Sequence, residues 1–215
     1  GGYRNVSVTA GKGFSFSGTG AFSTSGNLTL RTSRISGESG ADYSITSDGV
    51  LALERLEGDT QEEASLGANL TLQGASVTIG GNLYAGGASK TFNTQTRFSD
   101  AGSITLEAAN GDVTLTDTSV LSVAALSGGG NAGTLSVVTP NGRFTAGGAL
   151  HGQAANGFNS GSFHLDTSSL PGSGAGSLAS INGDLDAGGF HQPRGIRVRS
   201  GDVLGGHHIP SHAGS

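Results

Sequence analysis

Ala101-Gly102-Ser103-Ile104-Thr105-Leu106, Asn110-Gly111-Asp112-Val113-Thr114-Leu115 and Ala132-Gly133-Thr134-Leu135-Ser136-Val137 are three versions of one phrase. In each, aliphatic residues alternate with small polar ones, the two-residue period of a strand with one buried face. The glycine near the front predicts a tight, often left-handed corner that a Cβ-bearing residue resists. The phrase recurs toward the amino end as Gly26-Asn27-Leu28-Thr29-Leu30, Gly49-Val50-Leu51-Ala52-Leu53 and Ala68-Asn69-Leu70-Thr71-Leu72. One short strand plus one corner, used again and again, describes a coil stacked on itself: an all-β solenoid. The spacing is equally compatible with antiparallel hairpins, and the mutual likeness of adjacent phrases favours coils.

Outward from these phrases the pattern continues. Val6/Val8, Phe14/Phe16, Ala21-Phe22, Leu70/Leu72, Val77/Ile79, Val120 to Val123 and Phe144 extend it. After Gly161, Ser162-Phe163-His164-Leu165-Asp166, Gly183-Asp184-Leu185-Asp186 and Ile196-Arg197-Val198-Arg199 are predicted strands. Asn110-Gly111 and Asn141-Gly142 are turn signals. The alternation breaks in four stretches, namely polar Arg31 to Ser47, acidic Leu53 to Ser65, Gly-, Ser- and Thr-rich Ala85 to Asp100 holding Phe92 and Phe98, and looped Leu170 to Ser180. Residues 1–204 are expected to form the solenoid, and Gly205 to Ser215, without periodicity, a disordered tail. With roughly 20 residues per coil, about ten coils would make a rod on the order of 45 Å long.

Composition narrows the function. Charged residues are 13% of the 215, about half the usual share, while Gly contributes 40. A net charge of −5 opposes nucleic-acid binding, which calls for a basic stripe. No apolar run approaches membrane-spanning length, so no transmembrane segment is expected. Met is absent even at position 1 and no secretory signal opens the chain, which reads as an internal fragment. Cys is absent too, excluding disulfides, thiolate metal sites and Cys nucleophiles. It suits a chain that crosses membranes unfolded.

Candidate chemistry is sparse. Asp184 and Asp186, two apart on a predicted strand, and the looser pair Asp112 and Asp117 are the carboxylates that a glycan-cleaving β-helix would need. No supporting base or His phrase accompanies them, and they read as outward strand or turn residues. Gly37-Glu38-Ser39-Gly40-Ala41-Asp42 is a lone, imperfect match to a calcium-binding β-roll repeat. His207, His208 and His212 sit in the patternless tail. Gly174-Ala175-Gly176-Ser177-Leu178-Ala179 mimics a dinucleotide loop, and without a preceding strand and following helix it reads as accidental. Arg194, Arg197 and Arg199 offer a candidate contact for acidic glycans, two of them on one strand face. Asn5, Asn27 and Asn69 match glycosylation acceptors and read better as corner residues bonding backbone groups. Neither a catalytic group, a metal nor a cofactor is assigned.

The phrases Ala101 to Leu106, Asn110 to Leu115 and Ala132 to Gly142 resemble the filamentous-haemagglutinin-like exoproteins of Gram-negative bacteria. So do Gly161 to Asp166 and Ala187-Gly188-Gly189-Phe190 running into Arg197-Val198-Arg199-Ser200-Gly201-Asp202-Val203. The resemblance spans most of Gly102 to Val203. It implies a right-handed parallel β-helix, exported by two-partner secretion through an outer-membrane transporter to the cell surface. It also implies a non-enzymatic adhesive shaft, with roles in adhesion, biofilm and virulence and with host or bacterial surface glycans or proteins as partners. The Asn-Pro-Asn motifs of the family's secretion domain are missing; Pro140-Asn141-Gly142 is a partial echo. A glycan-binding or polysaccharide-degrading β-helix protein is the alternative.

Overall fold

A computed structural model describes residues 4–38, 40–58, 67–174 and 176–200. The expected tail, with His207, His208 and His212, lies outside them. The chain winds through three faces per coil. The first coil carries β1 (Asn5–Ala10), β2 (Phe14–Phe16) and β3 (Thr19–Thr24); the second β4 (Asn27–Thr32), β5 (Arg34–Gly37) and β6 (Asp42–Ser47). The third carries β7 (Val50–Arg55) and β8 (Asn69–Gly74). The fourth has β9 (Ser76–Ile79), β10 (Asn82–Tyr84), an excursion formed by β11 (Ser89–Phe92) and β12 (Gln95–Phe98), and then β13 (Ser103–Ala108). The fifth has β14 (Val113–Leu115), β15 (Val120–Ser122) and the front of β16 (Thr134–Ala146). The back of β16, β17 (Ala149–His151) and β18 (Ser162–Ser169) make the sixth, and α1 (Leu178–Ala187) and β19 (Arg194–Val198) close the series.

Strands pair in parallel with their counterparts in the neighbouring coil; on the second face β5 of the second coil pairs directly with β10 of the fourth, and β11 and β12 pair antiparallel with each other alone. This answers the choice between coils and hairpins: the architecture is a parallel, solenoid-like sheet. The register stacks like on like. Val6, Leu28, Leu51, Val77, Val113 and Phe144 form one inward column on the first face. Phe14, Ile35, Leu83, Leu121 and Leu150 form one on the second. Phe22, Ile45, Leu72, Leu106, Val137, Leu165 and Ile196 form one on the third. The residues between them face out, which is why the phrases alternate aliphatic with Ser or Thr. Nearly all the inward side chains from Leu28 to Leu165 are fully buried, each worth about 1.5–3 kcal/mol. At the amino-terminal end the Phe16 and Tyr43 rings stack at 4.2 Å across the open core.

Several expectations are corrected. Among the described residues the third face is seven strands deep, not ten, because coils are longer than 20 residues: equivalent positions lie 22, 23, 34, 31 and 28 apart along the chain. At about 4.8 Å per level the rod is roughly 30 Å long. Arg31 to Ser47, expected to loop out, holds β5 and β6. Asn141-Gly142 is no hairpin turn; it bends the continuous β16 from the third face to the first, where the register shifts between Thr139 and Arg143.

The corner glycines also serve a different purpose from the one expected. Gly102 and Gly133 do not have left-handed φ angles. A Cβ on Gly102 would overlap the Ala68 carbonyl oxygen, and a Cβ on Gly133 the Gly102 carbonyl oxygen. Glycine is required because successive coils touch backbone to backbone at that corner.

The helix is the largest departure. The sequence pattern predicts a strand at Gly183 to Asp186 and a loop over Leu170 to Ser180, but α1 runs through Leu178–Ala187. Its N-cap is Ser177, whose hydroxyl accepts from the Ser180 N–H at 3.3 Å. Ile181 and Leu185, one turn apart, are its buried residues. The Gly152 N–H donates to the Gly188 carbonyl at 2.8 Å, tying the helix end to the sixth coil. Phe190 then drops into the core above Phe163, 6.4 Å away edge to face, continuing a ladder that begins with Phe144 at 6.5 Å.

Candidate functional site

The polar side chains at the corners bond along the axis, from one coil to the next. Asn27 Nδ2 donates to Asn5 Oδ1 at 2.9 Å, and Asn27 Oδ1 accepts from the Val50 N–H at 2.9 Å. Ser103 Oγ donates to Asn69 Oδ1 at 2.7 Å. At the corner before the third face, Asp100 accepts from the Asn131 N–H at 2.7 Å and Asn131 from the Asn159 N–H at 2.9 Å. Bonds of this last kind satisfy backbone donors that the turn would otherwise leave without a sheet partner. Asn5, Asn27 and Asn69 sit at corners as expected, but of the three only Asn27 bonds a backbone group here; Asn5 and Asn69 accept from side chains.

The candidate carboxylates are dispersed. Asp112 and Asp117 lie at opposite ends of β14, and Asp112 Oδ1 accepts from the Arg143 N–H at 2.7 Å. Asp184 and Asp186 are on α1, not a strand, so a two-residue spacing turns them about 200° apart around the helix. Asp186 pairs with Arg194, while Asp184 borders a small hollow beside Leu150 and His151.

The arginines separate as well. Arg194, with a largely buried side chain, donates from Nε to the Phe190 carbonyl at 3.1 Å and from Nη1 to Asn182 Oδ1 at 3.2 Å. It locks the helix onto β19. Arg197 and Arg199 share the outer face at that strand and converge on Asp166 of the sixth coil. Arg199 binds the carboxylate in bidentate fashion at 2.6 and 2.7 Å; Arg197 approaches to 4.0 Å. The Arg199 hydrogen bonds hold the Asp166 carboxyl below its ordinary value, against a weaker opposing push from burial, and Arg197 adds to the lowering. Of the three, Arg197 keeps the most exposed side chain, at 70%.

The near-match to a calcium repeat forms the corner between β5 and β6, where the Ala41 N–H donates to the Glu38 carbonyl at 2.9 Å; Ser39 lies outside the described residues. The dinucleotide-like segment does lie between a strand, β18, and a helix, α1, contrary to expectation. The Ser177 hydroxyl occupies that helix start as an ordinary cap. Among the described residues, no three His, Asp or Glu side chains gather as a metal site, and no helix is long and apolar enough to cross a membrane.

A surface that the sequence did not single out lies on the excursion. All eight residues of β11 and β12 are exposed. Alternation places Ser89, Thr91, Thr96 and Phe98 on one side of the hairpin, and Lys90, Phe92, Gln95 and Arg97 on the other. The first side is pinned by the Phe98 ring, which lies against Gly128 and Gly129 of the fifth coil. On the second, Lys90 and Arg97 stand directly opposite each other, and Lys90 Nζ lies 5.5 Å from the centre of the Phe92 ring. Two cations placed symmetrically about a two-residue turn was the signal available in Ala85 to Asp100.

Beside the hairpin, Asn131, Thr134, Asn159, Ser162 and Gln192 line a shallow groove of amides and hydroxyls across the fifth to seventh coils. Comparison of the chain with protein-family models, with curated proteins and with solved structures gives no match to any of them.

Proposed function

We propose that this chain is a length of shaft from a secreted, non-catalytic adhesive exoprotein of filamentous haemagglutinin type. The parallel solenoid is compatible with that architecture, and we assign it the right hand, because parallel crossovers are right-handed in about 98% of cases. In this reading the chain leaves a Gram-negative cell through a dedicated outer-membrane transporter and displays its flanks to surface glycans or proteins. A sequence without Cys suits passage in the unfolded state.

The observation that carries the non-catalytic assignment is the employment of the carboxylates. Asp100 and Asp112 accept backbone N–H groups of the next coil, Asp166 clamps the arginines of the β19 segment, and Asp186 holds Arg194 to α1. Each is engaged in holding the rod together, and a glycosidase needs two carboxyls facing one cleft, about 5–10 Å apart.

The test combines attachment and turnover. Beads coated with the chain are incubated with bacterial and epithelial cells, and the soluble chain with acidic polysaccharides. Attachment above that of uncoated beads, with no release of reducing ends, is expected. Release of reducing ends that disappears in Asp184→Ala or Asp186→Ala would replace the shaft with an enzyme, and absence of attachment to every surface would remove the adhesive role.

A further inference from the structure

We propose that the outward side of the β11–β12 hairpin is a binding site for an anionic polysaccharide. Lys90 and Arg97 take its carboxylate or sulfate groups, and Phe92 supports a sugar ring. The inference deepens the adhesive reading above and rests on it for its biological use.

The first argument is electrostatic. Cations directly opposite one another on paired strands destabilise the pair. Among the described residues, no ion-pair partner is found for either Lys90 or Arg97. By contrast, Arg31, Arg194, Arg197 and Arg199 all have carboxylate partners within 4.0 Å. The chain as a whole carries −5, so this doubly cationic spot runs against the sign of the molecule. An anionic group seated between the two converts mutual repulsion into a two-sided clamp, with charge-assisted hydrogen bonds from both.

The second argument is the ring. Phe92 is 56% exposed, the highest value among the exposed large hydrophobic residues described. Phe98 and Phe158, at 39% and 48%, occupy the same flank, and both lie close to Gly129. Phe98 belongs to the other side of the hairpin, so Phe92 is the exposed ring that stands beside the two cations, 5.5 Å from Lys90 Nζ. Apolar ring faces beside cations suit a sugar, which presents a C–H face together with acidic substituents.

The third argument separates a polysaccharide from an acidic peptide. The groove lined by Asn131, Thr134, Asn159, Ser162 and Gln192 adjoins the aromatic corner and continues along the rod axis. Its lining combines these amides and hydroxyls with His164 and Pro193 and contains no Lys or Arg, which suits hydroxyl groups better than carboxylate side chains.

The experiment titrates the full chain by calorimetry with alginate as the carboxylated polymer, dextran sulfate as the sulfated one, and neutral dextran. We expect at least one anionic polymer to bind tenfold or more tightly than dextran. Lys90→Gln with Arg97→Gln should weaken that binding by about tenfold, and Phe92→Ser by severalfold. The hairpin pairs only with itself, so the circular dichroism spectrum and Tm of these variants should stay at the parent values. Lys12→Gln with Arg143→Gln removes the same charge from other exposed positions and should change nothing. Failure of both anionic polymers to bind, equal loss in the control variant, or equal binding of polyglutamate would overturn the proposal. If the hairpin variants attach to cells as the parent does, the site falls and the adhesive reading stands. If the parent chain attaches to nothing, that reading falls independently.

Discussion

Replacing Gly133 by Ala tests the backbone contact between coils. Its φ does not require glycine, so the main obstacle is the carbonyl of Gly102 beneath it. That same oxygen accepts the Thr134 N–H at 3.1 Å, and the Gly133 carbonyl in turn accepts the Ser162 N–H at 3.0 Å. Restoring ordinary contact with a new methyl group requires the coils to part locally by about an ångström, which takes one or both bonds beyond range. Each lost bond costs about 1 kcal/mol, and forced overpacking about 1–3 kcal/mol, for a total of roughly 2–5 kcal/mol. Gly183→Ala is the matched control: it lies inside α1 with nothing within 4 Å of the added methyl. It should stabilise the helix by up to about 1 kcal/mol. Urea unfolding followed by circular dichroism reads both, as opposite shifts of the midpoint. A Gly133→Ala midpoint within about 0.5 kcal/mol of the parent would refute the argument that coil spacing dictates the corner glycines.

Two further outcomes follow from the carboxy-terminal end. Phe163→Ala empties the middle of the ladder between Phe144 and Phe190 and should cost about 3–5 kcal/mol; a loss below about 1 kcal/mol in the same urea assay would mean that the end of the core collapses around the gap. Asp166 has a lowered native pKa, so its bond to Arg199 stabilises fully above the unfolded value of about 3.9 and is lost as pH falls through the native one. Between pH 7 and about pH 3, Asp166→Asn should therefore flatten the acid dependence of stability; an unchanged slope in the variant would remove Asp166 as its source.

The core was legible because the same two-residue period that hides one face of a strand also stacks it. Leu106 had only to be recognised as Leu72 and Val137 again. Coil number was not legible, since excursions of unequal length separate equivalent positions. The helix was missed because Asp184 and Asp186 impose an apparent period of two, while the residues that decide its conformation are Ile181 and Leu185, four apart. β5 escaped notice because it is only four residues long and polar, with Arg34 and Ser36 buried beside Ile35. The arginines at β19 were visible as cations, but the partner of Arg199 lies 33 residues away on the previous coil, and only the winding brings it near. Lys90 and Arg97 become neighbours by the same kind of fact, through a turn whose register sequence spacing leaves open.

The axial direction of the coil-to-coil bonds sets how the rod answers a pull. Tension applied between the two ends loads one level at a time, as in peeling tape, instead of shearing many bonds together. Releasing a level of 31 residues, the offset between Asp112 and Arg143, yields about 100 Å of slack. A tether built this way lengthens in steps under drag and gives up one ring before the next is strained.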